Sequence, residues 1–465
     1  MDDRRFRSRS LWLDQLDEPI SPRAALAGDR DVDVAIVGAG YTGLWTAEAL
    51  LRADPTLRVL LIEREVVGFG ASGRNGGWCV GELAGGLEGA VAAHGHDAGV
   101  RMTRAIIDTV DEIGRTVADA GIDCGFVKGG VVRLARTAPQ LDRQREEVEA
   151  HRAHGFGDDV LAPLDADESR ARLNATDVLG GLHYAPAARV QPARLARGLA
   201  DTVESRGATI VEGTAAAQIV GRTATAPARV VTDRGTVSAE VVVRATEGYT
   251  RDLDGMRRDL VPLYSLMVAT EPIADDVWNS IGLAGMETFA DDRRMVIYGQ
   301  RTTDGRIAFG GRGAPYRYGS AIDPVTEASS TIHDRIEATL RELLPAVAGV
   351  EITHRWGGVL GVPRDWRPSV GLDRSAGIAW AGGYVGEGVA ASNLAGRTVA
   401  DLILGADSDL VSLPWVGHRS RRWEPEPLRW SGINGGLWLA GWVDRFEERH
   451  QRRPRFASVL DRLVK

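Results

Sequence analysis

The stretch VDVAIVGAGYTGLWTAEALL, residues 32–51, decides the fold. It opens on Val32 to Val37, a short apolar run rich in β-branched residues, as expected of a buried parallel strand. Gly38, Gly40 and Gly43 follow in a G-x-G-x-x-G spacing. Leu44, Ala47, Leu50 and Leu51 then share one face at helical spacing. A second buried run, Arg58 to Ile62, ends at Glu63, twenty residues after Gly43. Each part has a physical task. Gly38 allows the tight strand-to-helix turn, Gly40 lets the backbone approach a pyrophosphate, and Gly43 lets helix and strand pack closely. Tyr41 and Thr42 begin the helix, whose N-terminus offers free N–H groups and a partial positive charge to phosphates. Glu63 can accept hydrogen bonds from ribose hydroxyls. The spacing therefore predicts a dinucleotide-binding unit. The competing reading, a glycine-rich turn without ligand, is disfavoured by the strand on either side.

The next residues, REVVGFGASGRNGGW at 64–78, resemble the D-amino-acid-oxidase-like family of flavoenzymes, which includes glycine, sarcosine and gamma-glutamylputrescine oxidases. The string GASGRNGG looks most like the gamma-glutamylputrescine oxidase branch. The resemblance implies FAD, with Arg64, Ala71, Ser72, Arg74, Asn75, Gly76 and Gly77 wrapping the ribityl chain and the flavin edge. It extends over nearly the whole chain. GATIVEGTAAAQI (207–219) resembles the strand pair whose backbone near Ala217 contacts adenine. VVVRATEGYT (241–250) resembles the returning strand and its turn, with Thr246 and Gly248 at the cofactor. WRPSVG (366–371) and GGYVGEGV (382–389) resemble the second fingerprint, implying contacts from Gly383, Gly386, Glu387, Gly388 and Val389. The helix beginning there can stabilise negative charge on a reduced flavin.

The chain has 465 residues, enough for two joined domains. The expected architecture is α/β. It has a Rossmann-like FAD-binding domain (31–100, 190–255 and 350–405) interleaved with an α+β, sheet-based substrate domain (101–189 and 256–349). An N-terminal arm (1–30) and a C-terminal helical extension (406–465) flank them. Residues 101–189 read as mostly helical. In the extension Trp438, Leu439, Trp442, Val443 and Phe446 share one face, and Asp444, Arg445, Glu447, Glu448 and Arg449 fill the rest. That helix is expected to dock on its own chain; a dimer contact or a membrane-surface helix is the alternative, and a homo-oligomer stays open.

A net charge of −8 argues against non-specific nucleic-acid binding, which needs a basic surface. No apolar run is long enough to span a bilayer. The first twenty residues lack a signal-peptide core, and two cysteines do not make a disulfide framework. The cytoplasm is the default location. His183 and His354 have no second ligand at metal spacing, so no metal is expected.

Amine oxidation at a flavin asks the protein for positioning more than for acids and bases. Tyr264, Tyr298, Arg301 and Trp366 are the candidates for an aromatic cage with an arginine for a carboxylate or phosphonate. Each tyrosine has an ordinary core residue as its competing reading. Some relatives tether FAD through a His after the first fingerprint or a Cys before the second. The loop 68–80 has no His and no Cys follows Cys124, so non-covalent FAD is expected. Others activate O2 with a lysine. Here Lys128 and Lys465 are the only lysines and neither lies in a flavin motif, which leaves Arg74 or the substrate ammonium. The expected reaction takes a small amine substrate to an imine, with O2 or another acceptor. The alternatives are an amine dehydrogenase, an aminophosphonate or N-methyl amino acid oxidase, an NAD(P)H-dependent flavin monooxygenase, and a non-catalytic flavoprotein. Against the monooxygenase, GELAGG (81–86) is expected to have no strand before it.

Overall fold

A computed structural model describes residues 3–328 and 331–455. Two eight-stranded sheets organise it. The first runs, edge to edge, Ser369–Asp373, Ile378–Gly382, Gly235–Arg244, Arg30–Val37, Val59–Ile62, Thr209–Val211. The four strands around Arg30–Val37 are paired parallel to their neighbours. Their apolar runs are buried on both faces, as parallel strands must be. One face is covered by helices Tyr41–Ala53, Pro192–Ser205 and Gly388–Leu404. The helices 41–53 and 388–404 cross closely, since a Cβ on Gly396 would come 2.7 Å from the Thr46 nitrogen. The other face is covered by the antiparallel strands Ala216–Val220 and Ala228–Thr232.

The second sheet runs Ile352–Val362, Val261–Thr270, Ile307–Gly311, Ile297–Arg301, Thr288–Asp291, Val131–Ala135, Gly180–Tyr184, Leu161–Leu164. It is antiparallel except where Thr288–Asp291 meets Val131–Ala135. Helices Asp275–Ile281 and Thr331–Leu343 pack on it.

The sequence-based division differs from this arrangement in three places. Residues 352–362, expected with the cofactor unit, pair along their length with 261–270, Tyr264 opposite Val359. Residues 101–189 are not mostly helical, because 131–135, 161–164, 180–184 and 187–189 are strands. Helix His96–Asp119 also joins the core of the first sheet, where Met102, Ile106, Val110, Ile113 and Val117 form its buried stripe.

Both termini of the described chain are docked. In the N-terminal arm Leu11, Trp12 and Leu13 are buried. Ser10 caps their short helix and donates to the Gly73 carbonyl at 2.9 Å. The C-terminal helix, Leu428–His450, docks on its own chain, burying Val443 from the expected apolar face together with the polar Asp444 and Glu447. Asp444 accepts from the Arg294 and Met295 amides at 2.8 Å each, and Glu447 pairs with Arg143 at 2.9 Å. Trp438, expected inside, is 66 % exposed, whereas Glu447 is 1 % exposed. Lys465 and the last ten residues of the extension lie outside the described residues. No described helix is long and apolar enough to cross a membrane.

Candidate active site

The carboxyl ends of the parallel strands face one long cleft, the place where open α/β sheets bind ligands. Gly38 turns the chain with φ +107°, and a Cβ there would sit 2.5 Å from the Ala245 carbonyl. A Cβ on Gly43 would sit 2.0 Å from the Gly38 carbonyl, so only glycine lets the helix start this close to the strand. Glu63 lines the cleft. It accepts from the Ala39 and Glu65 amides at 3.0 Å each. Burial pushes its carboxyl above the usual range, and those two amides pull it back. Arg64, Ala71, Ser72, Thr214, Ala216, Thr246 and Gly248 continue the lining.

Two ties hold the second glycine-rich segment, one from the first segment and one from the turn after strand 235–244. The Thr42 and Tyr384 hydroxyls are 3.0 Å apart. Glu247 sits with φ +41° and its Oε1 accepts from the Gly383 and Tyr384 amides at 3.2 and 3.1 Å. Its Oε2 is buried without a hydrogen-bond partner, and the buried setting raises the carboxyl to about 7. A further tie closes the loop 68–77: Ser72 Oγ accepts from the Tyr41 amide at 2.9 Å.

The family model for FAD dependent oxidoreductases matches residues 33–402, a range that contains the whole cleft. The chain belongs to this family. It is 29% identical over 401 residues to gamma-glutamylputrescine oxidoreductase of Escherichia coli (strain K12), covering 84% of this chain and 89% of that one. It is 30% identical over 399 residues to a probable oxidoreductase OrdL of Rhizobium meliloti (strain 1021), covering 85% and 87%. Its fold matches the crystal structure of glycine oxidase from Geobacillus kaustophilus with a TM-score of 0.70, at 21% identity, covering 84% of this chain and 99% of that one.

The cleft fits FAD. The glycine turn that a Cβ would fill accepts a close pyrophosphate, Glu63 can receive ribose hydroxyls, and Thr214 and Ala216 close the far end. Ala217 itself is exposed, one residue past the lining.

Several loop residues do structural work in place of the contacts expected of them. The Asn75 amide nitrogen donates inside the loop, to the Ala71 and Ser72 carbonyls at 3.0 and 3.2 Å, while its Oδ1 accepts from the Gly77 amide. Asn75 therefore shapes the loop. The Tyr41 amide is taken by Ser72, so that helix N–H is not free for phosphate. Arg74 is not a free cation for oxygen. Its side chain is 1% exposed, pairs with Glu327 at 2.8 Å and donates to the Tyr249 hydroxyl at 2.7 Å. Lys128 is on the surface, paired with Asp111. Gly76 meets the Tyr298 ring, and Gly388 and Val389 begin the helix 388–404.

Beyond the second fingerprint opens a cavity of about 980 Å3. Arg312 stands at the junction: it lines the cavity, donates to the Val385 carbonyl at 2.7 Å, and would touch a Cβ on Gly386. Glu387 is raised by the packing around it and lowered by Arg312. Of the four expected cage residues, Trp366 lies in the cavity wall, in a loop where its φ is +60°. Tyr298 is held between Gly76 and Gly310, with its hydroxyl 2.6 Å from Ser265. Tyr264 is placed elsewhere: its hydroxyl bonds the Asp323 backbone, and its ring belongs to the second core. Arg301 also points away, its guanidinium 4.5 Å from the Trp278 ring centroid. Arg312 and Glu247 went unnoticed in the sequence. Arg312 is one of 54 arginines with no motif around it, whereas Glu247 stands inside the A-T-x-G turn, a position that marks it in the sequence without showing its partner.

His183 bonds the Gly129 carbonyl and His354 bonds Asp14. GELAGG does follow a strand, Trp78–Val80, but that strand pairs antiparallel with Ala187–Arg189 outside the parallel sheet. It does not form a second dinucleotide turn.

Proposed function

We propose that this FAD-dependent oxidoreductase oxidises the C–N bond of a small amine or amino-acid-like substrate. The observation that carries the reading is the cavity that ends at Arg312 and the second fingerprint. The name of the Escherichia coli relative points to the same chemistry. FAD, when bound, supplies the two-electron hydride acceptor. The substrate loses a hydride from carbon and a proton from nitrogen, leaving an imine. Water then hydrolyses the imine to an aldehyde or keto acid and frees the amine or ammonia. O2 takes up the two electrons with two protons as hydrogen peroxide. This chain's own part is to bind and orient. Arg312 suits a substrate carboxylate, and Trp366 walls the approach. The cofactor is held without a covalent bond, so acid precipitation should release all flavin into the supernatant.

The deciding experiment is anaerobic reduction of the holoenzyme by a panel of gamma-glutamylputrescine, free polyamines, amino acids, N-methyl amino acids and aminophosphonates. Bleaching of the flavin band by one class supports the reading. Bleaching by NADH or NADPH alone moves the protein to the reductase or monooxygenase class, and inertness to every compound moves it to the non-catalytic flavoproteins. The Arg74 and Lys128 ion pairs favour keeping a dehydrogenase as the second reading, because neither cation is free to assist oxygen. Slow reoxidation in air after substrate reduction would establish it.

A further inference from the structure

The family match ends at residue 402, and the chain continues into an extension that walls the cavity. This extension is anchored by buried Leu413, Trp415, Trp423 and Val443 and by polar contacts. Glu426 accepts from the Tyr316 hydroxyl at 2.8 Å and the Gly319 amide at 2.9 Å. Asn434 exchanges hydrogen bonds with the Tyr316 backbone at 2.9 and 3.1 Å. Asp444 and Glu447 complete the attachment. An amphipathic helix normally buries its apolar stripe against its own protein. Here Arg429, Val443, Asp444 and Glu447 are the buried residues of the helix, and Ile433, Leu437 and Ala440, at i, i+4 and i+7, line the open cavity. Leu263, Met102 and Trp423 line it too. Three helical glycines on the same wall, Gly432, Gly435 and Gly436, would have nothing within 4 Å of a Cβ. The lining also carries charged side chains, among them Arg364, Arg367 and Glu424, but its apolar stretch beside an unfilled space of this size is what a binding site for an apolar group looks like.

We propose that the extension makes this cavity selective for amines with a bulky apolar body, aromatic or long aliphatic. The body lies on the helix 428–450 and the amine end points towards the second fingerprint, where Arg312 meets any carboxylate the substrate carries. This rests on the amine-oxidation reading and narrows its substrate class. Short polar amines such as glycine or sarcosine would leave most of the volume empty and gain little from these walls.

The test uses the reconstituted holoenzyme in two measurements. First, phenylacetate and acetate are titrated as unreactive ligands, read by perturbation of the flavin spectrum. Phenylacetate should bind at least ~10-fold more tightly, the scale expected for burying one aromatic group. Second, anaerobic flavin reduction by 2-phenylethylamine and phenylalanine is compared with that by glycine, sarcosine and gamma-glutamylputrescine, in wild type and in Gly436→Trp. The new side chain enters open space, so the fold should tolerate it, and it should lower the ratio of bulky to short-amine reduction rates at least ~10-fold. Fastest reduction by a short polar amine, with an unchanged ratio in Gly436→Trp, overturns the inference and leaves amine oxidation standing. Equal binding of phenylacetate and acetate also overturns it. Tight phenylacetate binding with no reduction by any amine keeps the apolar site and overturns amine oxidation.

Discussion

Glycine serves opposite ends in the two halves of this active site. In the cofactor cleft, glycines are required because there is no room: a Cβ on Gly43 would lie 2.0 Å from a carbonyl oxygen. In the cavity wall, Gly432, Gly435 and Gly436 face empty space. The cleft is close-packed and its polar groups are tied to one another, whereas the cavity is roomy, apolar and bounded by a helix held from outside. Binding a constant cofactor rewards a rigid shape. Admitting a bulky substrate rewards unfilled volume near the reacting centre.

The comparison can be broken at the ion pairs first. Arg74→Met removes one partner of a pair whose side chains are 1% and 8% exposed. Leaving Glu327 with only the more distant Arg9, at 3.8 Å, should cost ~3 kcal/mol in a urea melt of the apoprotein. The cavity-rim pair Arg364–Glu424 is 35% and 40% exposed. Arg364→Met should therefore cost less than ~1 kcal/mol. Equal costs would contradict the contrast. Gly43→Ala comes next. Moving the helix off the strand should weaken FAD binding by about 100-fold, a ~3 kcal/mol overpacking effect read by quenching of flavin fluorescence. A change within threefold would show that the turn is looser than drawn.

Glu247→Gln sharpens the cleft side through pH. The carboxyl is raised from 4.5 to about 7, so the folded chain holds a proton that the unfolded chain has released. The resulting stability is present below about 4.5 and is lost as pH rises through about 7. The glutamine variant should lack this slope and be ~1–3 kcal/mol more stable than wild type near pH ~8, with the difference vanishing near pH ~4. Parallel pH profiles would refute the buried, unpartnered oxygen. The smallest effect is Gly436→Ala, which should stabilise by ~0.5–1 kcal/mol through helix propensity alone. A loss of stability there would mean that the wall is tighter than its open space suggests.

The cofactor half was legible in the sequence because its contacts are local. Gly38, Gly40 and Gly43 act through backbone positions within one turn, and Glu63 through the end of the next strand, so spacing carries the geometry. The substrate half was legible only in part. Trp366 was found, but Tyr264 and Arg301 look equally polar and aromatic in sequence while lying elsewhere. The face a strand residue presents depends on register, and a one-residue shift reverses it. The strand 352–362 was misplaced for a related reason, since its partner 261–270 lies some ninety residues away. In the C-terminal helix the apolar pattern suggested that Trp438 would be buried. The polar partners Arg294, Met295 and Arg143 instead bury Asp444 and Glu447. The sequence by itself determined the family, the cofactor and the parallel sheet, because these follow from short-range patterns of glycine, charge and apolar residues. Only the tertiary structure decided that Glu247 ties the returning strand's turn to the second fingerprint, that Arg312 stands at the cavity's end and that the extension walls it. Those arrangements join residues far apart in the chain, and nothing local encodes which of 54 arginines will arrive there.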